Sequence, residues 1–166
     1  VRASGRTMVF DHHQVQEALY GSLLEQLREE YHSALAHAPE TRKQAAEKDP
    51  DALDGALCVD LCEHYLKGAR GEQALRYVPA AQTHLTKGYL HAQVVRLTER
   101  ALAVPDLVTG EPRVDLLLQH VGRLDVLGRR EAERRALDEA LALAESDGRP
   151  GLRARAETEL GWLLIC

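Results

Sequence analysis

Cys58 and Cys62 stand four residues apart, so on a helix the two thiols share one face and could reach a single zinc ion. His64 follows closely, but two residues after Cys62 it falls on a different face. A closed zinc site needs four ligands, and the others would have to come from afar, for example His12, His13 or His91. The chemistry such a cluster would support is that of a small helical metal- or ligand-binding enzyme. The same spacing suits plain packing, because a buried cysteine behaves as a small hydrophobe. Packing is the reading adopted, with no metal and no cofactor expected.

The other reactive side chains make no recognisable constellation. The eight histidines, among them His32, His37, His84 and His120, are scattered and form no H-E-x-x-H pair. The four serines (Ser4, Ser22, Ser33 and Ser146) sit on no G-x-S-x-G elbow. Glu29 and Glu30 are adjacent acids on a polar helix face and need no catalytic explanation. Arg129, Arg130, Arg134 and Arg135 form the densest basic cluster, but it is interleaved with acids at i,i+4 spacings such as Glu131–Arg135 and Arg134–Asp138. A solvated helix face accounts for that cluster. With a net charge of −5, nothing suggests a phosphate-tracking surface, so no nucleic-acid partner is expected.

The elements that must position these residues are helices. Leu occurs 27 times and Ala 23 times, against 12 Val and a single Ile, a composition that favours helix and disfavours a β-sandwich, a barrel or a parallel-sheet nucleotide fold. The 166 residues suffice for one domain with a real core. Three cysteines without regular spacing are no disulfide framework, and a reducing, cytoplasmic setting is expected. No apolar run approaches the ~18 residues of a membrane span. The terminal run LGWLLIC ends at Cys166 without a cap or polar tail, so more helix is expected beyond it. Trp162 and its apolar neighbours there would pack on a neighbouring repeat or join two copies as a homodimer.

Residues 1–38 are expected to form a connector, with a short β stub at 6–10 and then helix. Asp11 is its expected cap. Val15, Leu19, Leu23, Leu24, Leu27, Tyr31 and Leu35 make one apolar helical stripe, either unbroken to Ala38 or bent near Gly21–Ser22, with Pro39 closing it. Residues 39–51 read as a polar linker between Pro39 and Pro50. From 52 to 166 the pattern is helix, short turn, helix, in an antiparallel helix-pair array. Helices are expected over about 52–67, from 72 onward with Pro79 as a kink, and over 89–104, 113–127, 130–145 and 151–166.

Within that array the spacing repeats. Leu61, Cys62 and Tyr65, then Ala74, Val78 and Ala81, follow the tetratricopeptide pattern, in which small residues sit where two helices cross closely. A second unit has Val121–Gly122, then Ala132, Ala136 and Ala140; a third half-unit has Leu160–Gly161. Gly122 and Gly161 are 39 residues apart, longer than the ~34 of a standard repeat. The fold expected is therefore an all-α, tetratricopeptide-like α-solenoid.

The segment FDHHQVQEALYGSLLEQLREEYHSALAHA, Phe10 to Ala38, resembles a segment of large bacterial signalling ATPases. The resembling residues are Phe10, His12, Gln16, Glu17, Tyr20, Ser22, Leu23, Leu24 and His32. In those proteins it joins the winged-helix end of an AAA/STAND-type ATPase module to a tetratricopeptide array, and CEHYLKGARGEQALRYVPAA resembles the first repeats there. Such proteins often carry a kinase, cyclase or transcription-regulator domain. This chain has no G-x-x-x-x-G-K-[ST] loop, so no ATP hydrolysis is expected of it. The resemblance implies a non-catalytic scaffold that binds a protein or peptide, or neighbouring domains of its own chain; an effector-sensing domain is the other role it admits.

Overall fold

The computed structural model describes residues 2–4, 7–9, 13–148 and 150–165, with side-chain environments for 15, 17–148 and 150–161. Asp11, His12 and the environments of Trp162, Leu163, Ile165 and Cys166 lie outside these. Strands β1 (Arg2–Ser4) and β2 (Thr7–Val9) pair antiparallel, Arg2 opposite Val9. From His13 on, short turns and loops, two of them 3-10 (Ala45–Glu47 and Pro50–Ala52), join helices: α1 (His13–Ser22), α2 (Glu25–Lys43), α3 (Gly55–Lys67), α4 (Gly71–Leu75), α5 (Val78–Lys87), α6 (His91–Ala103), α7 (Gly110–Val126), α8 (Arg130–Asp147) and α9 (Pro150–Ile165).

Two prolines act differently from expectation. Pro39 does not close its helix. It lies inside α2, which continues to Lys43 before Gln44 caps it in the left-handed region. An interior proline lacks its amide and crowds the preceding turn. The turn that follows is held from outside, because Glu40 accepts hydrogen bonds from Tyr65 and Tyr77. The expected linker is correspondingly shorter, and its Ala45 is fully buried. Pro79 does not kink one helix but starts another: α4 stops at Leu75 and Pro79 sits in the first turn of α5, where no amide is needed.

The chain breaks between α1 and α2 at Leu23–Leu24, where Leu24 is extended. The apolar stripe of these two helices is left open, with Leu24 78% and Tyr31 54% exposed. The face of α2 that packs carries His32 and Ala36 instead. Asp54 caps α3 by accepting from the Ala56 amide at 3.0 Å. At its other end Gly68 lies against the backbone of α2, where a Cβ would come within 2.6 Å of the Ser33 nitrogen. Only glycine allows that approach.

Helix α3 packs chiefly on α5 and α2, with the short α4 between them; α6 packs on α5 and α7, α7 on α8 and α8 on α9, while α3 also touches α6 and α7 touches α9. Two apolar clusters result. The first joins α2 to α6, with Leu116 of α7, around Cys58, Leu61, Tyr65, Tyr77 and Leu85. The second joins α6 to α9 around Val114, Leu117, Leu124, Leu137 and Ala140. Helix α6 serves both, with Val94 and Leu97 facing the first and Val95 the second, and α7 adds Leu116 to the first.

Ala74, Val78 and Ala81 are buried in the first cluster, and Ala136 and Ala140 in the second. Gly122 and Gly161 depart from the close-crossing expectation. Among the described residues, a Cβ at either would meet nothing within 4 Å, so neither marks a close crossing there. Among the described residues no helix is long and apolar enough to cross a membrane.

Candidate functional site

Helix α3 buries Cys58 and Cys62 completely, on the face turned into the first cluster. The Cys62 thiol donates to the Ala74 carbonyl at 3.5 Å, and the Cys58 thiol to the Pro50 carbonyl at 3.7 Å. Burial pushes both thiols up, Cys62 far above the ordinary cysteine range. Metals bind thiolates, so this setting favours the form that does not ligate. His64 points to a different partner, as its spacing predicts. Among the described residues no group of three or more His, Cys, Asp or Glu side chains is arranged to hold a metal ion.

Two polar joints surround this helix, and α2 supplies the centre of each. In the first, Tyr20 Oη lies 2.7 Å from His32 Nε2, and His32 Nδ1 lies 2.8 Å from His64 Nδ1. This chain of contacts crosses from α1 through α2 to α3. Burial lowers the pKa of both imidazoles, and for His32 the neighbouring His64 adds to the effect. In the second joint, the Glu40 carboxylate accepts from Tyr65 Oη at 2.5 Å and from Tyr77 Oη at 2.6 Å. Burial and the bond to Glu40 push both phenols upward. Tyr77 is itself fully buried. With one phenol on each carboxylate oxygen, Glu40 braces α2 against α3 and the start of α5.

Neither joint was legible as a pair. His32 and His64 are 32 residues apart on separate helices. Glu40 sits in the polar run PETRKQ, which carries no sign of burial. The resemblance marked His32 and Tyr20, without a role.

Two hollows among the described residues reach about 740 Å³ or more. One, of about 770 Å³, lies between α2 and the α3–α4 turn and is rimmed by Glu29, Glu30, His37 and Glu40. The other, about 740 Å³, runs between α5 and α7 across α6. Its floor is apolar, from Val78, Val94, Val108 and Leu116, and its rim is polar, from Gln82, Thr86 and Lys87 on one side and Asp115, Gln119 and Arg123 on the other. Asp115 is paired with Arg155 at 2.7 Å. Within the arginine cluster, Arg130 meets Asp125 at 2.7 Å and Glu133 at 3.0 Å, and Arg134 meets Asp138 at 3.0 Å. Compared with known proteins, the chain matches no protein-family model, no curated protein and no solved structure.

Proposed function

We propose that this chain is a non-catalytic helical-repeat scaffold of tetratricopeptide type that holds a polypeptide segment or a neighbouring domain. The observation that carries this reading is the groove between α5 and α7, with its apolar floor and its rim of amides, hydroxyls and charges. Such a lining gives a peptide area to bury and polar groups to set its register. An array of antiparallel helix pairs presents a surface of that kind as a consequence of stacking. The buried, protonated setting of Cys58 and Cys62 supports packing over metal chemistry. The Phe10–Ala38 resemblance adds a context: a cytoplasmic connector and first repeats within a bacterial signalling ATPase, with no nucleic-acid or membrane partner.

The reading is tested by selecting binders from a displayed peptide library against the chain. Selected peptides should lose binding when the groove is filled from its rim by Thr86→Arg or Gln119→Arg, with the fold unchanged by circular dichroism. Binders indifferent to both changes, or turnover of a small substrate that requires Cys58 and Cys62, would replace the scaffold by a different activity.

A further inference from the structure

We infer that the segment held in the α5–α7 groove is extended, with apolar side chains at one end and a carboxylate side chain, Asp or Glu, at the other. The inference rests on the groove reading above and adds to it the chemistry of the occupant.

The groove is graded along its length because its two walls run parallel. Gln82, midway along α5, donates to Thr98 in the later half of α6 at 2.8 Å, so α6 runs back along α5. Arg113, near the start of α7, donates to the Leu102 carbonyl near the end of α6 at 3.2 Å, so α7 turns back again. Two reversals bring the starts of α5 and α7 to one end of the groove. That end is apolar, built from Val78, Pro79, Val108 and Pro112. The other end takes Thr86 and Lys87 from the last turn of α5, and Gln119 and Arg123 from the later part of α7.

Charge separates the two ends. The chain as a whole is acidic, at −5, yet the groove is lined by two cations and one acid. The acid, Asp115, lies partway along and is paired with Arg155 of α9 at 2.7 Å. Among the described residues neither Lys87 nor Arg123 has an acidic partner. Two uncommitted cations at one end are complementary to a carboxylate there.

The middle of the groove selects the extended form. Thr98, 1% exposed, donates its one hydroxyl proton to the Val94 carbonyl at 2.9 Å. It can therefore only accept from Gln82, which turns the Gln82 N–H toward Thr98 and leaves Oε1 as an acceptor without a partner among the described residues. An extended chain has backbone N–H groups free to donate to that oxygen, whereas a helix spends its own internally. From Pro79 to Lys87 the wall is ~12 Å long, and from Pro112 to Arg123 ~16 Å, at ~1.5 Å per helical residue. An extended chain covers that length in about four or five residues. A helical occupant would need about eight to eleven.

The probes are peptides selected from a random library displayed without a free carboxyl terminus. Those that shift the methyl resonances of Val78, Val94, Val108 and Leu116 are groove binders. They should carry Asp or Glu about four or five residues from the apolar side chains that anchor them. With one such peptide made synthetically and amidated, Lys87→Ala and Arg123→Ala should each weaken binding roughly two- to fivefold at ~0.15 M salt. Lys87→Glu with Arg123→Glu should weaken it on the order of tenfold or more, and exchanging the peptide's acid for Lys should restore binding to that reversed chain. Should the double reversal alter the circular dichroism, the two alanine variants decide. Groove binders without an acid at that spacing, binding unmoved by both alanine changes, or an acid set about eight to eleven residues from the apolar anchors would overturn this inference and leave the groove standing. A dimer in size-exclusion that already covers those methyls places a second copy of the chain in the groove and overturns it too. The absence of any groove binder would remove the groove reading itself, and this inference with it.

Discussion

At the residue scale, Glu40 bears the most weight for its size. It links α2 to Tyr65 of α3 and to Tyr77 at the start of α5, directly behind the interior Pro39. Glu40→Ala leaves two phenol hydroxyls in a sheltered place without their acceptor, which should cost about 1–3 kcal/mol in urea denaturation. Adding Tyr65→Phe and Tyr77→Phe to that variant should recover part of the loss, since the orphaned groups disappear with their partner. Simple additivity would show that the brace is not a unit. His120 on α7 is 6% exposed with Nδ1 unpartnered, and burial lowers its pKa. A base held neutral by the fold supports stability above 6.5 and withdraws it as the pH falls below that value. His120→Leu should therefore flatten the acid limb of a stability-versus-pH curve, and an unaltered limb would assign acid sensitivity elsewhere. Cysteine burial was legible, because Cys58 and Cys62 share the apolar face of Leu61 and Tyr65. The Glu40 brace and the His32–His64 contact were not, because each needs a distance across helices that spacing within one helix cannot supply.

At the element scale, helix existence followed from periodicity and the turns from glycine, but two classes of detail depended on neighbours. Proline was one. Pro39 and Pro79 both read as helix breakers, yet one is carried inside α2 and the other opens α5, according to what packs on the following turn. Small residues were the other. The repeat pattern placed Gly122 and Gly161 at crossings, whereas Gly68 is where two backbones meet. The two glycines make a paired prediction. Gly68→Ala must push a methyl group into the Ser33 backbone and should destabilise by about 1–3 kcal/mol. Gly122→Ala, in open space on the exposed face of α7, should stabilise by roughly 0.5–1 kcal/mol, through helix propensity alone. Thermal melts of both variants check the pair. A stabilising change at 68, or a destabilising one at 122, would reverse the assignment of the close crossing.

At the scale of the whole molecule, what matters is how the two apolar clusters share α6 and the Leu116 edge of α7. A stacked array transmits stability through nearest neighbours, so damage at one end weakens with distance; a single globular core loses protection everywhere at once. Leu137 on α8 is fully buried in the second cluster and has no part in the first. Leu137→Ala removes buried methyl groups and leaves a cavity, at a cost of about 2–5 kcal/mol to the cluster that holds it. Site-resolved hydrogen exchange should show that cost in full across α7 and α8. In α6 the loss should be smaller, because Val94 and Leu97 still face an intact cluster while Val95 does not. In α3, where Leu61 and Cys62 lie wholly in the first cluster, it should be least. Equal loss in α3 and α8 would mean that the helices form one cooperative core and would count against the repeat-array reading. A graded loss with α6 as the step would identify α6 as the interface through which a partner in the α5–α7 groove, seated on Val94, would couple both halves of the chain.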